Sequence, residues 1–205
     1  MDIRLPHLLY HGTTYNCLGG FRKRLLDRTY WKPGRDFGEG LYTTTSLAQA
    51  QKWAHKVAEA SASPVPVNPC ILFIQILSVP EHWRPLIFTS GSREWAAFIF
   101  SHRLVLSKSD PDPCEAHPDL VMGPMADNDT GKIMRNAVQW RKDVDWFYDQ
   151  ITRSRSGRKL DDAKLGNQVV FCSPAWEHCL RLKGHSIYRG GRWKYDDSAS
   201  QAESV

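Results

Sequence analysis

Apolar positions from Leu5 to Tyr10 form a short dense run that stops at His11-Gly12-Thr13-Thr14, where a glycine and hydroxyl side chains take over. That pattern predicts a strand whose end carries His11. Gly38-Glu39-Gly40-Leu41-Tyr42-Thr43-Thr44-Thr45 predicts a second short strand, with Thr45 or Ser46 as N-cap of a helix from Leu47 to about Ala60. Leu47, Ala50, Trp53, Ala54 and Val57 recur at helical spacing, which makes one face of that helix apolar. The proline-rich stretch Ser61 to Pro69 reads as a loop, and Cys70 to Ser78 as a central strand.

Further along, Arg93 to His102 predicts a buried helix capped by Ser92, and Asp119 to Met125 a strand. Ile133 to Ile151 predicts one further helix, Asn167 to Cys172 a strand, Pro174 to His178 a helical turn, and Cys179 to Tyr188 a final strand. Between them, Ser107 to Pro118, Ala126 to Gly131 and residues 153 to 166 are polar loops. Residues 1–188 are therefore expected as a single α+β domain, and the polar, small-residue stretch 189–205 as a loosely ordered tail. No internal repeat is evident.

Composition narrows the picture only at its edges. The 205 residues are 41% hydrophobic and 24% charged, as in ordinary globular chains. The longest apolar run is about half of the ~20 residues that a membrane helix needs, and the N-terminus holds no signal-peptide core. No membrane association and a cytoplasmic location are the corresponding expectations. Five cysteines, widely spread and without a CxxC pair, argue for reduced thiols and against a thiolate metal site, so no metal is expected. A net charge of +5 favours an acidic partner without deciding it.

The common nucleotide and hydrolase motifs are missing: Gly38-Glu39-Gly40 lacks the third glycine of a dinucleotide fingerprint, and there is no P-loop, HExxH or GxSxG. What remains is an ordered set of short pieces, each of which is alone more often structural. Leu8-Leu9-Tyr10-His11-Gly12-Thr13-Thr14, then Gly38-Glu39-Gly40-Leu41-Tyr42 with the helix bearing Gln49 and Trp53, then Asn167-Gln168-Val169-Val170-Phe171 resemble the three core motifs of the ADP-ribosyltransferase superfamily. The branch resembled is the poly(ADP-ribose) polymerase and diphtheria-toxin type with its His, Tyr, Glu signature. Asp36-Phe37-Gly38-Glu39-Gly40-Leu41-Tyr42, Arg93-Glu94-Trp95 and Val121-Met122-Gly123-Pro124 are closer to a bacterial family of that superfamily long labelled as having unknown function.

The resemblance implies a split antiparallel β-sandwich with flanking helices and NAD, as co-substrate, in the cleft between its sheets. It implies that His11 bonds a ribose hydroxyl, that the backbone of Gly12 pairs with the nicotinamide carboxamide, and that Tyr42 and Trp53 sandwich the ring. Thr13, Thr44, Thr45 and Gln49 are further cofactor candidates, since the helical hydroxyl used by relatives is Ala50 here. Gln168 stands where polymerase-type members carry Glu, so either Gln168 suffices for transfer of one ADP-ribose unit or Glu94 supplies the carboxylate; a first-turn acid in a helix is the competing account of Glu94.

For the acceptor, Arg153, Arg155, Arg158 and Lys159 form a basic loop, and the Arg22 to Arg35 excursion and Arg181, Lys183, Arg189, Arg192 and Lys194 add further cations. Tyr30 or Trp31 would stack a base. The expected activity is mono-ADP-ribosyl transfer from NAD to a macromolecule, RNA or DNA ahead of protein, by a toxin or defence effector that an antitoxin could oppose. The alternatives are a catalytically weak NAD or ADP-ribose binding module and a basic RNA-binding domain.

Overall fold

The computed structural model describes residues 5–126, 129–153 and 166–197. It is an α+β chain that divides into two compact units, the first made of residues 1–27, 42–82 and 174–205 and the second of 28–41 and 83–173. Each unit gathers segments that are distant in the chain, which local periodicity does not report.

In the first unit, β1 (Leu8–Thr14), β3 (Pro69–Ile76), β7 (Leu180–Arg189) and β8 (Arg192–Asp197) form an antiparallel sheet in the order β1-β3-β7-β8. β1 runs through His11 rather than stopping there, and His11 lies opposite Leu72 of β3. The hydroxyl residues Thr13 and Thr14, which interrupt the apolar pattern, are themselves buried strand positions. The chain beyond Arg189 also departs from expectation up to Asp197: Gly190 and Gly191 take φ of 57° and 77° and turn it into β8. Only residues that tolerate positive φ make that tight turn.

Helix α1 (Leu18–Lys23) follows β1, and α2 (Leu47–Glu59) is capped by the Ser46 hydroxyl, which accepts the Gln49 N–H at 3.3 Å. Ala50 and Ala54 of α2 are buried. They pack with Ile71, against which Tyr10, Phe73 and Trp193 also rest. The start of the basic excursion is anchored rather than free. Leu25 and Leu26 are buried, and their N–H groups donate to the Glu177 carboxylate at 2.9 and 2.6 Å. Glu177 lies in the 3-10 turn Pro174–Cys179 that the sequence pattern anticipates.

The second sheet has the order β2-β6-β5-β4, from β2 (Leu41–Thr43), β6 (Asn167–Phe171), β5 (Leu120–Pro124) and β4 (Pro85–Ile87). The chain passes from the second unit into the first within β2, after Leu41. β4, which has no signature in the sequence, pairs in parallel with β5, so the sheet is not wholly antiparallel. Helix α3 (Arg93–Arg103) is capped by Ser92, whose hydroxyl accepts the Trp95 N–H. The expected helix from Ile133 to Ile151 is two helices, α4 (Thr130–Gln139) and α5 (Val144–Ile151). Arg141 adopts φ 50°, the Lys142 N–H returns to the Ala137 carbonyl at 2.8 Å, and Asp143 caps the next helix by accepting the Trp146 N–H. This is a left-handed C-terminal stop followed at once by a new N-cap, and the apolar period runs across it without a gap.

Trp31 is buried at 5% exposure beneath the Arg28 guanidinium, 5.7 Å from the ring centroid, so it does not offer the stacking face expected of it. Tyr30, 74% exposed, does.

Candidate functional site

The first unit collects His11, Gly12, Thr13, Tyr42, Thr44, Gln49 and Trp53. Their arrangement starts from the position of β1 at the edge of its sheet. The Tyr10 N–H and C=O both bond Thr44, at 2.8 and 2.9 Å, on the side away from β3. Residues of the other parity face β3: the His7 carbonyl accepts the Ile76 N–H, and the Tyr15 N–H donates to the Asn68 carbonyl. Backbone groups alternate along a strand, so the N–H and C=O of Gly12 share Tyr10's direction, toward the outer edge.

Gly12 is also where α2 comes closest to β1. A Cβ there would overlap the Ala50 carbonyl oxygen and lie 2.8 Å from the Ala54 nitrogen and 3.2 Å from the Trp53 Cβ. Helix packing alone therefore requires glycine at this position. It accounts equally for Ala50, which is buried against the strand where a larger residue would push the helix away.

His11 is half-buried, with its ring 5.1 Å from that of Phe21. Its Nδ1 is 2.7 Å from the Tyr42 carbonyl. A carbonyl can only accept, so Nδ1 carries the proton and Nε2 keeps its lone pair. Burial holds the His11 pKa below its ordinary value, against the smaller opposing effect of that hydrogen bond, and the ring is neutral at pH 7. The same bond fixes the backbone of Tyr42, which is itself half-buried. Thr44 is buried, its hydroxyl accepting the Ser46 N–H at 3.0 Å. Gln49 is half-buried, and Trp53 is 42% exposed with the Lys56 ammonium 5.3 Å from its ring centroid.

Gln168 and Glu94 belong to the second unit, and it treats them differently. Gln168 is buried opposite Gly123, and its Nε2 donates to Asp36 Oδ2 at 3.2 Å. Asp36 Oδ1 in turn accepts from Arg103, at 2.7 Å from Nε and 2.6 Å from a terminal nitrogen. Because a carboxylate only accepts, the Gln168 amide must turn its NH2 toward Asp36 and its carbonyl oxygen away. Asp36 and Arg103 were not singled out by their residue types; Asp36 heads the segment that includes Gly38-Glu39-Gly40, and its link to Gln168 spans most of the chain. Glu94 is an exposed first-turn residue of α3 whose carboxyl is held below its ordinary pKa by its hydrogen bond to Ser92. The next side chain, Trp95, points inward and donates to the Pro124 carbonyl at 3.0 Å. Glu94 thus has the arrangement of an ordinary first-turn acid.

Of the basic acceptor loop, Arg153 is exposed and pairs with Asp149 at 3.5 Å, while Arg155, Arg158 and Lys159 lie outside the described residues. Arg181, Lys183, Arg189, Arg192 and Lys194 are all exposed on β7 and β8, where Arg189 stands opposite Arg192 across the hairpin. No helix among the described residues is long and apolar enough to cross a membrane.

Residues 8–182 match the family described as "Protein of unknown function (DUF3990)", and the chain belongs to that family. No curated protein and no solved structure matches it.

Proposed function

We propose that this protein is a mono-ADP-ribosyltransferase that uses NAD and modifies a macromolecular acceptor. The observation that carries the reading is the edge of β1, where the N–H and C=O of Gly12 point outward beside the Tyr10–Thr44 bridge. An adjacent donor and acceptor on one residue match a carboxamide, which has one of each. A neutral His11 with Nε2 open as acceptor suits a ribose hydroxyl, and an exposed Trp53 and half-buried Tyr42 suit a flat ring. The role of Gln168 rests on the resemblance of its motif; its Asp36 partner supports a polar function for the amide, and Glu94 carries no catalytic duty in this reading. The exposed cations of the β7–β8 hairpin, next to Trp193 and Tyr195, favour a nucleic-acid acceptor. A toxin or defence role, with an opposing antitoxin, follows from the same resemblance.

The test is release of nicotinamide and transfer of label when the protein is incubated with labelled NAD and a cell lysate. His11→Ala and Tyr42→Ala should each abolish both; variants as fast as the parent would overturn the assignment. A second reading, an NAD-binding module without chemistry, is favoured by one observation: the Asp36 carboxylate to which Gln168 donates is already engaged by Arg103. NAD binding with no sustained nicotinamide release would select it.

A further inference from the structure

We propose that His102, Asp112, Cys114 and His117 form a structural zinc site that fastens the long 104–119 connection to the end of α3. The proposal is independent of the NAD reading. His102 lies in the last turn of α3 and is 2% exposed. Its Nε2 is 3.8 Å from Asp112 Oδ1 and 3.8 Å from Cys114 Sγ. Ligand atoms of His102, Asp112 and His117 all lie within 4.8 Å of one another. Tetrahedral zinc, with Zn–N of about 2.0 Å and Zn–S of about 2.3 Å, separates its ligand atoms by about 3.3–3.6 Å. The His102–Asp112 and His102–Cys114 pairs need to close by about 0.3–0.5 Å, and the wider pairs by about 1–1.5 Å or somewhat more, through side-chain rotation.

Both imidazoles are set in the form that a metal requires. His102 Nδ1 is 2.7 Å from the Phe98 carbonyl, and His117 Nδ1 is 2.9 Å from the Pro118 carbonyl. Each Nδ1 therefore carries the proton and each Nε2 presents a lone pair, the usual outer-shell arrangement of zinc histidines. His117 Nε2 is buried and has no hydrogen-bond partner, which is costly unless something fills the gap. Gly38 forms one wall: at φ 78° it has no Cβ, and one there would lie 2.6 Å from His117 Nε2.

The charges balance. On binding, the Cys114 thiol loses its proton to solvent as the S–Zn bond forms, and thiolate plus the Asp112 carboxylate neutralise Zn²⁺ with two neutral imidazoles. A net-neutral complex suits a site that is buried on its His102 side and open to water at Asp112. Four protein ligands leave no open position, which marks the site as structural rather than catalytic. The connection also needs a fastener: residues 104–119 contain no helix or strand, and a segment of that length without one is uncommon in a compact unit. The Asx-type bond from the Cys114 N–H to Asp112 Oδ1, at 2.8 Å, places the two loop ligands together.

The test is cobalt(II) titration of the full chain after dialysis against a chelator, followed by displacement with zinc. One equivalent should bind, with tetrahedral d–d absorption and a thiolate-to-cobalt charge-transfer band. Cys114→Ser should lose the charge-transfer band, His117→Ala should weaken zinc binding by at least about tenfold, and Cys17→Ser should change neither. Chelation should lower the melting temperature of the parent but not of His117→Ala; Asp112→Asn, on an exposed loop position, provides a variant whose folding is not in question. Absence of stoichiometric binding, or a charge-transfer band that survives Cys114→Ser, overturns the proposal.

Discussion

The two units carry their candidate chemistry in opposite ways. In the first, the decisive groups are backbone amides and one imidazole, positioned by a strand edge and by a helix that packs on a glycine. In the second, they are side chains: Asp36, Arg103 and Gln168 meet across long stretches of sequence, and His102, Asp112, Cys114 and His117 gather around one connection. Sites of the first kind are especially sensitive to displacement of the backbone. Sites of the second kind fail when a single partner is removed.

The largest effect expected from this contrast is in the second unit. Asp36→Ala leaves the largely buried Arg103 guanidinium uncompensated and should cost about 3–5 kcal/mol, read by denaturant unfolding. Gly12→Ala should follow, at about 1–3 kcal/mol, because the new methyl forces α2 off β1. If Gly12→Ala is as stable as the parent, the helix-packing account of that glycine is wrong. Gln168→Glu should cost about 1–3 kcal/mol, since a carboxylate cannot donate to Asp36 and faces a like charge. The double variant Asp36→Asn with Gln168→Glu should recover much of the loss by exchanging donor and acceptor, and failure to do so would break the network account.

Smaller effects sharpen the first unit. The His11 pKa is lowered in the folded chain, so between its folded value and the ordinary ~6.5 the unfolded chain binds more protons. Stability should therefore fall as pH drops below about 6.5, and His11→Gln should flatten that dependence in a series of thermal melts. Glu94→Gln should leave nicotinamide release unchanged, because its carboxyl only caps α3. A large loss would return the catalytic carboxylate to Glu94.

The sequence pattern was informative where structure is local. The α2 and α3 spans, their Ser46 and Ser92 caps and the β6 strand follow from spacing and capping residues within a dozen positions. It missed β4, whose parallel partner lies far along the chain, and the break at Arg141, where an apolar period continues across two helices. Trp31 reads as exposed beside its cations, yet it is buried, because lysine and arginine stems cover apolar rings as readily as they face water. The same limit applies to chemistry. His11, Gly12 and Tyr42 stand out from neighbouring motifs, whereas Asp36 acquires meaning only beside Gln168. The four residues proposed to hold zinc are irregularly spaced and include a single cysteine, so they leave no CxxC-type signal in the sequence.

The central claim, that the outer edge of β1 receives a carboxamide, is tested most directly at the Gly12 amide itself. In ¹⁵N–¹H spectra of the full chain, adding nicotinamide or NAD should shift the Gly12 resonance together with those of Tyr42 and the Trp53 indole, and should do so saturably. A saturable response that leaves Gly12 unmoved, or no response at all, would contradict the account.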